Sequence, residues 1–331
     1  MSAGGRLTDR IRTRCLYTGE SPRWLKGSLT RLDNLRPIPD ADESQALLES
    51  RVMEHLAHGG AYFAHPFGIA RTRITSDGET IVHLDDRTVS ESGDQHPMST
   101  YALDCLLPTR GKGIYVPRAD DLRMTVIRNT DLGLTRNGVR TLVLRRTAGT
   151  RWRSELADRE SPLRETDDDS LTISMGSRLT WHWERLDLAW LGSGLLRRIA
   201  LFHTSSSAYR VTSWRQRREW IFELDTRRDV PLGHDVLLER LMDRVWGLPL
   251  RIQRASCTCG NDGSRAEGTM KSCVFCLVHT GDRVGVLQLR FRSVPGAAGD
   301  RATLQRVSAD PAWLDRVLPA QGESSALEVP A

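Results

Sequence analysis

The sequence predicts an α+β fold that is rich in strands, in which antiparallel hairpins combine with a few helices and a zinc-stapled hairpin lies near the C-terminus. Three observations support this prediction. Short runs of alternating apolar and polar residues are separated by turn-forming residues. A few other segments have the apolar spacing of amphipathic helices. Four of the six cysteines fall within one twenty-residue stretch near the C-terminus.

The helices are predicted from capping residues and from apolar side chains that recur on one face. Aspartate precedes each of them, which suits an N-cap because its carboxylate accepts backbone hydrogen bonds. Gly59-Gly60 and Gly247 are stop signals for the first two. The predicted helices are Asp42 to Ala57, Asp235 to Trp246, and a short one opened by Asp310-Pro311 that reaches Leu318.

The strands are predicted from alternation and from the turns between them. Ser76-Asp77-Gly78, Asn137-Gly138 and Ser205-Ser206-Ser207 are read as turns that open or close hairpins. The predicted strands are Gly68 to Thr75, Glu79 to Leu84, Arg123 to Arg128, Val139 to Arg145, Leu171 to Met175, Leu179 to Leu186, Arg198 to Thr204, Ala208 to Trp214, Trp220 to Leu224, Leu250 to Gln253 and Gly285 to Arg292.

Polar, turn-rich composition around residues 161–170 suggests a junction between two regions. We expect an N-terminal α+β region over residues 1–160 and a strand-rich region over residues 161–318. The second region contains a zinc-binding module at residues 250–292. Residues 319–331 are small and polar, which predicts a disordered tail.

The composition is that of a globular chain: 331 residues, 39% apolar and 27% charged. No apolar run is long enough for a transmembrane helix, and the N-terminus lacks the apolar centre of a secretory signal. We therefore expect an intracellular protein without membrane insertion. It would be cytoplasmic, or nuclear if it comes from a eukaryotic virus.

Positive charge is abundant, with a formal net charge of +5. Only Lys26, Lys112 and Lys271 are lysines, so arginine supplies nearly all of the 47 basic residues. Codon bias in a GC-rich bacterial or viral genome accounts for part of this excess, and we lean towards a viral protein. Arginine nevertheless binds phosphate in a bidentate manner better than lysine does, so an anionic partner remains one of the alternatives.

The cysteine cluster carries the strongest chemical signal. It consists of a Cys-x-Cys pair and a Cys-x-x-Cys pair on either side of a polar loop, followed by a histidine. Soft ligands clustered in this way in an intracellular chain indicate a metal, and four thiolates suit a tetrahedral structural Zn²⁺. The candidate ligands are Cys257, Cys259, Cys273 and Cys276, with His279 in reserve.

Three alternatives to structural zinc stay open. The first is a set of reduced thiols without metal, the second is an iron–sulfur cluster, and the third is a catalytic zinc ion. The cluster-binding spacings typical of iron–sulfur proteins are absent. Four sulfurs would also close the coordination shell, which disfavours catalysis.

Arginine and tryptophan lie next to one another in several places, as around Trp214 and Trp220. Flat rings among positive charges are what single-stranded nucleic acid requires for stacking and phosphate contact. The ordinary alternative is that the tryptophans belong to the core and the arginines to a solvated face. The candidate contacts are Arg151, Arg153, Trp214, Arg215, Arg217, Arg218 and Arg254.

The common enzyme motifs for dinucleotide binding, phosphate loops, zinc proteases and serine hydrolases are absent, so the balance leans away from an enzyme. The function expected is a non-enzymatic, zinc-stabilised binding protein that contacts nucleic acid or an acidic protein through its Arg/Trp-rich surface. One alternative is a protein–protein scaffold that docks through the zinc module, and another is a divergent metal-dependent nuclease.

Overall fold

A computed structural model describes most of the chain. The described residues are 3–29, 37–57, 61–106, 122–136, 139–146, 152–157, 164–165, 171–174, 188–259, 272–295 and 298–319. The Asn137-Gly138 turn, the strand predicted over Leu179 to Leu186 and all but the first residue of the predicted tail lie outside them.

Ten α-helices occur in these ranges, together with a short 3-10 helix at Pro66–Gly68. The helices are α1 (Ala3–Thr18), α2 (Pro22–Leu29), α3 (Glu43–Ala57), α4 (Met98–Leu106), α5 (Trp152–Ala157), α6 (Ala189–Leu196), α7 (Leu201–Thr204), α8 (His234–Leu241), α9 (Ala298–Arg306) and α10 (Pro311–Val317).

The described strands form three mostly antiparallel sheets. A small sheet has the order β1 (Tyr62–Phe63), β4 (Arg87–Val89), β5 (Gln95–Pro97). The largest has the order β2 (Ile69–Ile74), β3 (Thr80–Leu84), β8 (Val139–Arg145), β7 (Asp131–Arg136), β6 (Leu122–Arg128), β10 (Leu171–Ser174), β9 (Arg164–Glu165). The third, here called the C-terminal sheet, has the order β11 (Arg210–Gln216), β12 (Glu219–Arg227), β15 (Val286–Val294), β14 (Ser272–His279), β13 (Leu250–Cys257).

The predicted fold class, α+β and strand-rich, is confirmed. Local signals account for several elements. The Asp42 carboxylate accepts a hydrogen bond from the Gln45 amide at 2.9 Å, as an N-cap does at the start of α3. The hairpin of β2 and β3 is present, and Asp310 caps α10 through the Trp313 amide.

The hairpin predicted from Arg198 to Trp214 is wrong. Its first half is helical and includes α7, while β11 pairs with β12 instead. The segment between Leu195 and Phe202 is buried almost throughout. A short segment that is buried on every side has no polar face, so periodicity does not distinguish a helix from a strand there.

One apolar cluster contains residues from the first half of the chain, such as Leu48 and Val82, and residues of the C-terminal sheet, such as Phe222 and Phe291. Helices α3 and α6 pack against each other within it. Gly192 of α6 makes this close approach possible, because an added Cβ would lie 2.3 Å from the Ser50 hydroxyl oxygen. The predicted boundary at residue 160 lies outside the described residues and stays a prediction.

A buried ion pair lies between these two helices. The Arg197 guanidinium donates to both carboxylate oxygens of Glu49 at 2.8 Å, and the two side chains are 3% and 0% exposed. Ser193, Gln45 and Thr80 also donate to this carboxylate. The pair is therefore fully hydrogen-bonded, as a buried charge must be.

Two histidines, His83 buried and His203 half-buried, predict acid sensitivity. Burial, helped by nearby positive charges, lowers the pKa of both His83 and His203 to about 3. The unfolded chain binds these protons near pH 6.5, so the free energy of unfolding should fall as the pH drops from about 6.5 towards 3. The loss is up to about 1.4 kcal/mol per pH unit for each histidine. His65 acts in the opposite sense, because Asp85 raises its pKa against the effect of burial.

Urea unfolding of His203→Phe between about pH 7 and pH 4 measures the contribution of His203. Phenylalanine keeps the stacking of this ring on Trp313, whose centroid is 4.6 Å away, but it does not titrate. We expect the free energy of unfolding to fall less steeply with decreasing pH in this variant than in the wild type. In His96→Phe we expect the wild-type slope, because His96 is exposed on β5. Equal slopes in all three proteins would contradict the assignment.

Candidate metal centre

The cysteines of the predicted module meet where β13 and β14 end side by side. Cys257 is the last residue of β13 and lies opposite Cys273 of β14 in the antiparallel register. Both are on the face of the C-terminal sheet that includes Phe275. Cys259 follows β13 by two residues and turns back towards this pair.

Four ligand atoms converge at this point. The Sγ atoms of Cys257 and Cys259 are 2.7 Å apart, and those of Cys257 and Cys273 are 3.1 Å apart. The Nε2 atom of His234 lies 3.0 Å from Cys259 Sγ and 3.6 Å from Cys257 Sγ. All four atoms lie within 4.8 Å of one another. Tetrahedral bonds of about 2.3 Å to sulfur and 2.0 Å to nitrogen put the ligand atoms about 3.5–3.8 Å apart. The contacting sulfurs are closer than that, so they would move apart by up to about 1 Å to hold a zinc ion.

His234 is held in a ligating orientation. It is the first residue of α8, preceded by Gly233 in the left-handed conformation with φ 67°. The Asp235 carboxylate lies 2.7 Å from Nδ1 and is the natural acceptor of its proton. Nε2 is thereby left with its lone pair towards the three sulfurs, as in the carboxylate–histidine–metal arrangement. The ring also packs against Phe275 and Phe291.

The thiols influence one another's protonation. Partial desolvation opposes ionisation of Cys257, but hydrogen bonds from Cys259 and Cys273 lower its pKa to about 7. The pKa of Cys259 is raised because it shares a proton with Cys257, and that of Cys273 is raised mainly by burial. One thiolate is thus favoured near neutral pH even without a cation. Metals bind thiolates rather than thiols, so this electrostatics suits a cation site.

Two of the candidate ligands lie elsewhere. Successive residues of a strand point to opposite faces, so Cys276, three positions after Cys273, projects from the other side of β14. Its sulfur accepts hydrogen bonds from Arg254 and Gln288. His279 is at the far end of β14, opposite Leu250. The four-cysteine set is therefore corrected: His234 takes the place expected for Cys276, and His279 is not in the group.

Sequence spacing did not point to His234, because it precedes the first cysteine by 23 residues and belongs to a different element. A weak local signal existed. A glycine-histidine-aspartate triplet at a helix start places a ring beside its own carboxylate partner. Nothing in that triplet indicates where the ring points, because the fold of the C-terminal sheet decides it.

The Arg/Trp-rich surface is not present as predicted. Arg215 donates to Glu54 at 2.7 Å and its side chain is only 8% exposed, so it is an interior ion pair. The Arg290 guanidinium lies over the Trp214 ring, 5.4 Å from its centroid. Trp152 and Trp220 are fully buried. These tryptophans contribute to packing, as the ordinary alternative holds.

The other candidate contacts are dispersed. Arg217 and Arg218 are exposed at the turn between β11 and β12. Arg254 lies on the exposed edge strand β13, and Arg153 is exposed on α5. Arg151 lies outside the described residues. The candidate contacts that the structure describes thus lie on three different elements.

Within the described ranges, the His/Cys group is the one place where three or more metal-ligating side chains meet. No helix of those ranges has the length and apolar character needed to cross a bilayer. No family model, curated protein or solved structure matches the chain.

Proposed function

We propose that this chain is a non-enzymatic binding protein whose C-terminal sheet is stabilised by a structural zinc ion. The observation that carries the proposal is the convergence of one imidazole nitrogen and three cysteine sulfurs. Three soft thiolates and one imidazole form a ligand set typical of structural zinc. They fill the tetrahedron and leave no open position for a reacting water, which is why we do not assign catalysis to this site.

The zinc ion would join elements that are distant from one another in the sequence. It would tie the N-terminus of α8 to the ends of β13 and β14. Among the described strands, β14 is the one neighbour of β13. Residues 251–257 of β13 are exposed, so burial contributes little to holding this edge strand. A metal cross-link supplies that missing stabilisation.

Measurement of bound metal tests the proposal directly. We expect about one zinc ion per chain in the wild type and loss of most of it in Cys257→Ser and Cys273→Ser. Cys276→Ser is the matched control, because it changes an equally buried cysteine of the same strand that faces the other way. A metal-free wild type, or equal metal loss in Cys276→Ser, would overturn the proposed site.

An anionic partner is supported by exposed arginines on the C-terminal sheet, among them Arg251 and Arg254 of β13. If nucleic acid is that partner, affinity must fall steeply with salt, because binding releases counterions from the phosphates.

One observation favours the scaffold as a second candidate function. Of the strands that the structure describes, β13 lies at the edge of its sheet, where a strand of another protein could add to it. Ile252 is 40% exposed there and offers an apolar contact. Capture of a defined partner that survives nuclease treatment and fails with Ile252→Lys would favour this function over nucleic-acid binding.

A further inference from the structure

A groove lies at the opposite end of the β13–β14 pair from the metal centre. Its volume is about 960 Å³, within the range of ligand-binding clefts. It is bounded by the chain before α3, by α6, by the segment between α8 and β13, and by the loop after β14. We call it the basic groove and define it by its basic and aromatic lining residues, which are Trp190, Arg198, Arg244, Arg251, His279 and Arg283.

Positive charge dominates this groove. Arg198 at its base is only 3% exposed and donates to the backbone carbonyls of Trp246 and Gly194. Arg244, Arg251 and Arg283 are exposed, and none of the three forms an ion pair within the described residues. Elsewhere arginines such as those of the Arg197–Glu49, Arg145–Asp131 and Arg292–Asp225 pairs have carboxylate partners.

The two aspartates of the groove offset this charge only in part. Asp40 and Asp243 are the acidic residues in its lining, against four arginines. The Asp243 carboxylate also accepts hydrogen bonds from the backbone amides of Val245 and Trp246 at 2.8 and 2.7 Å. It is therefore engaged in shaping the turn. The groove keeps a positive field that attracts anions.

A partly exposed aromatic wall stands beside these charges. The Trp190 indole nitrogen donates to the Val284 carbonyl at 3.1 Å, which fixes the ring. The His279 ring meets it edge-on at 4.9 Å. The Gly281 amide donates to Nδ1 of His279, so this imidazole carries its proton on Nε2 and offers a donor. The guanidinium of Arg283 lies 6.0 Å from the Trp190 ring centre.

We propose that the basic groove binds single-stranded nucleic acid, with Arg244, Arg251 and Arg283 on the phosphates and Trp190 as a stacking platform. This deepens the proposed function, since it names the anionic partner, but it uses residues distant in sequence from the metal ligands. Unpaired bases can enter a concave site and stack on a fixed ring, whereas a duplex keeps its bases stacked inside. An acidic protein would match the charge and leave the Trp190 platform unexplained.

The test measures binding of a fluorescein-labelled oligothymidylate of about 15 nucleotides by fluorescence anisotropy. Arg251→Gln/Arg283→Gln should weaken binding about tenfold or more and reduce the salt slope by about 1.4, the value for two lost single-strand phosphate contacts. Arg217→Gln/Arg218→Gln is the matched control, because it removes two exposed arginines at the hairpin tip. We expect less than about a twofold change in that control.

Base stacking is tested separately. Trp190→Leu should weaken oligothymidylate binding about fivefold or more and leave binding of inorganic polyphosphate unchanged, because polyphosphate has no bases. The inference is overturned by equal losses in the two arginine pairs, by tighter binding of duplex, or by equal competition from polyglutamate. Failure of wild-type binding also overturns it.

Metal content of every variant separates this inference from the zinc proposal. Absence of binding by a fully metal-loaded wild type would refute the groove alone. Groove-dependent binding by a chain that purifies without metal would refute the zinc site alone.

Discussion

His234→Ala is expected to lose the bound metal and to unfold at a lower temperature than the wild type. The imidazole is the sole ligand that α8 contributes, so its removal uncouples this helix from the strands. A ligand present at 1,000 times its Kd stabilises a folded protein by about 4 kcal/mol. For a chain of this size that corresponds to a Tm decrease of several degrees, on the order of 2 °C per kcal/mol.

Thermal unfolding of the wild type and of His234→Ala, each with and without a chelator, tests whether the imidazole acts through the metal. Chelation should lower the wild-type Tm to that of His234→Ala and leave the variant's own Tm unchanged. His279→Ala is the control, because this histidine follows the cysteines closely in sequence but lies outside the group. A Tm decrease in His234→Ala that persists in full when both proteins are chelated would show that the ring acts by packing on Phe275 alone.

Glu49→Ala is expected to lower the free energy of unfolding by about 3–5 kcal/mol. The substitution leaves the Arg197 guanidinium buried between α3 and α6 without its carboxylate, and water does not reach a side chain that is 3% exposed. It also removes the acceptor for Ser193 and Thr80. Urea denaturation measures the change.

Two further variants test whether the destabilisation of Glu49→Ala comes from the unpaired Arg197 charge or from the loss of side-chain contacts. Glu91→Ala breaks the Arg210 ion pair, but Glu91 is 68% exposed, so the expected cost is below about 1 kcal/mol. Glu49→Leu/Arg197→Met replaces the buried pair by apolar groups and should recover the part of the stability that the unpaired Arg197 charge costs in Glu49→Ala. If the double variant is as unstable as Glu49→Ala, the explanation by buried charge is incorrect.

Local signals in the sequence were sufficient for elements whose stability is local. The N-caps of α3 and α10 and the β2–β3 hairpin depend on residues a few positions apart, and all three are present. The sequence prediction extended α8 too far, to Trp246. The Asp243 carboxylate accepts hydrogen bonds from the amides of Val245 and Trp246, so the chain turns after Leu241. Helices α1 and α2 were missed because their sequences are polar on average, although both are amphipathic.

Residues near one another in the chain were enough to predict a strand-rich α+β fold and a single cluster of cysteines 257, 259 and 273. The fourth member of the group depended on the tertiary structure. Strand alternation turns Cys276 away, and the start of α8 brings His234 within 3.0 Å of Cys259 from a distant part of the sequence. The tertiary structure likewise buried Arg215 against Glu54 and left Arg251 and Arg283 beside one groove. Exposure and distance between elements are properties of packing, which neither composition nor spacing contains.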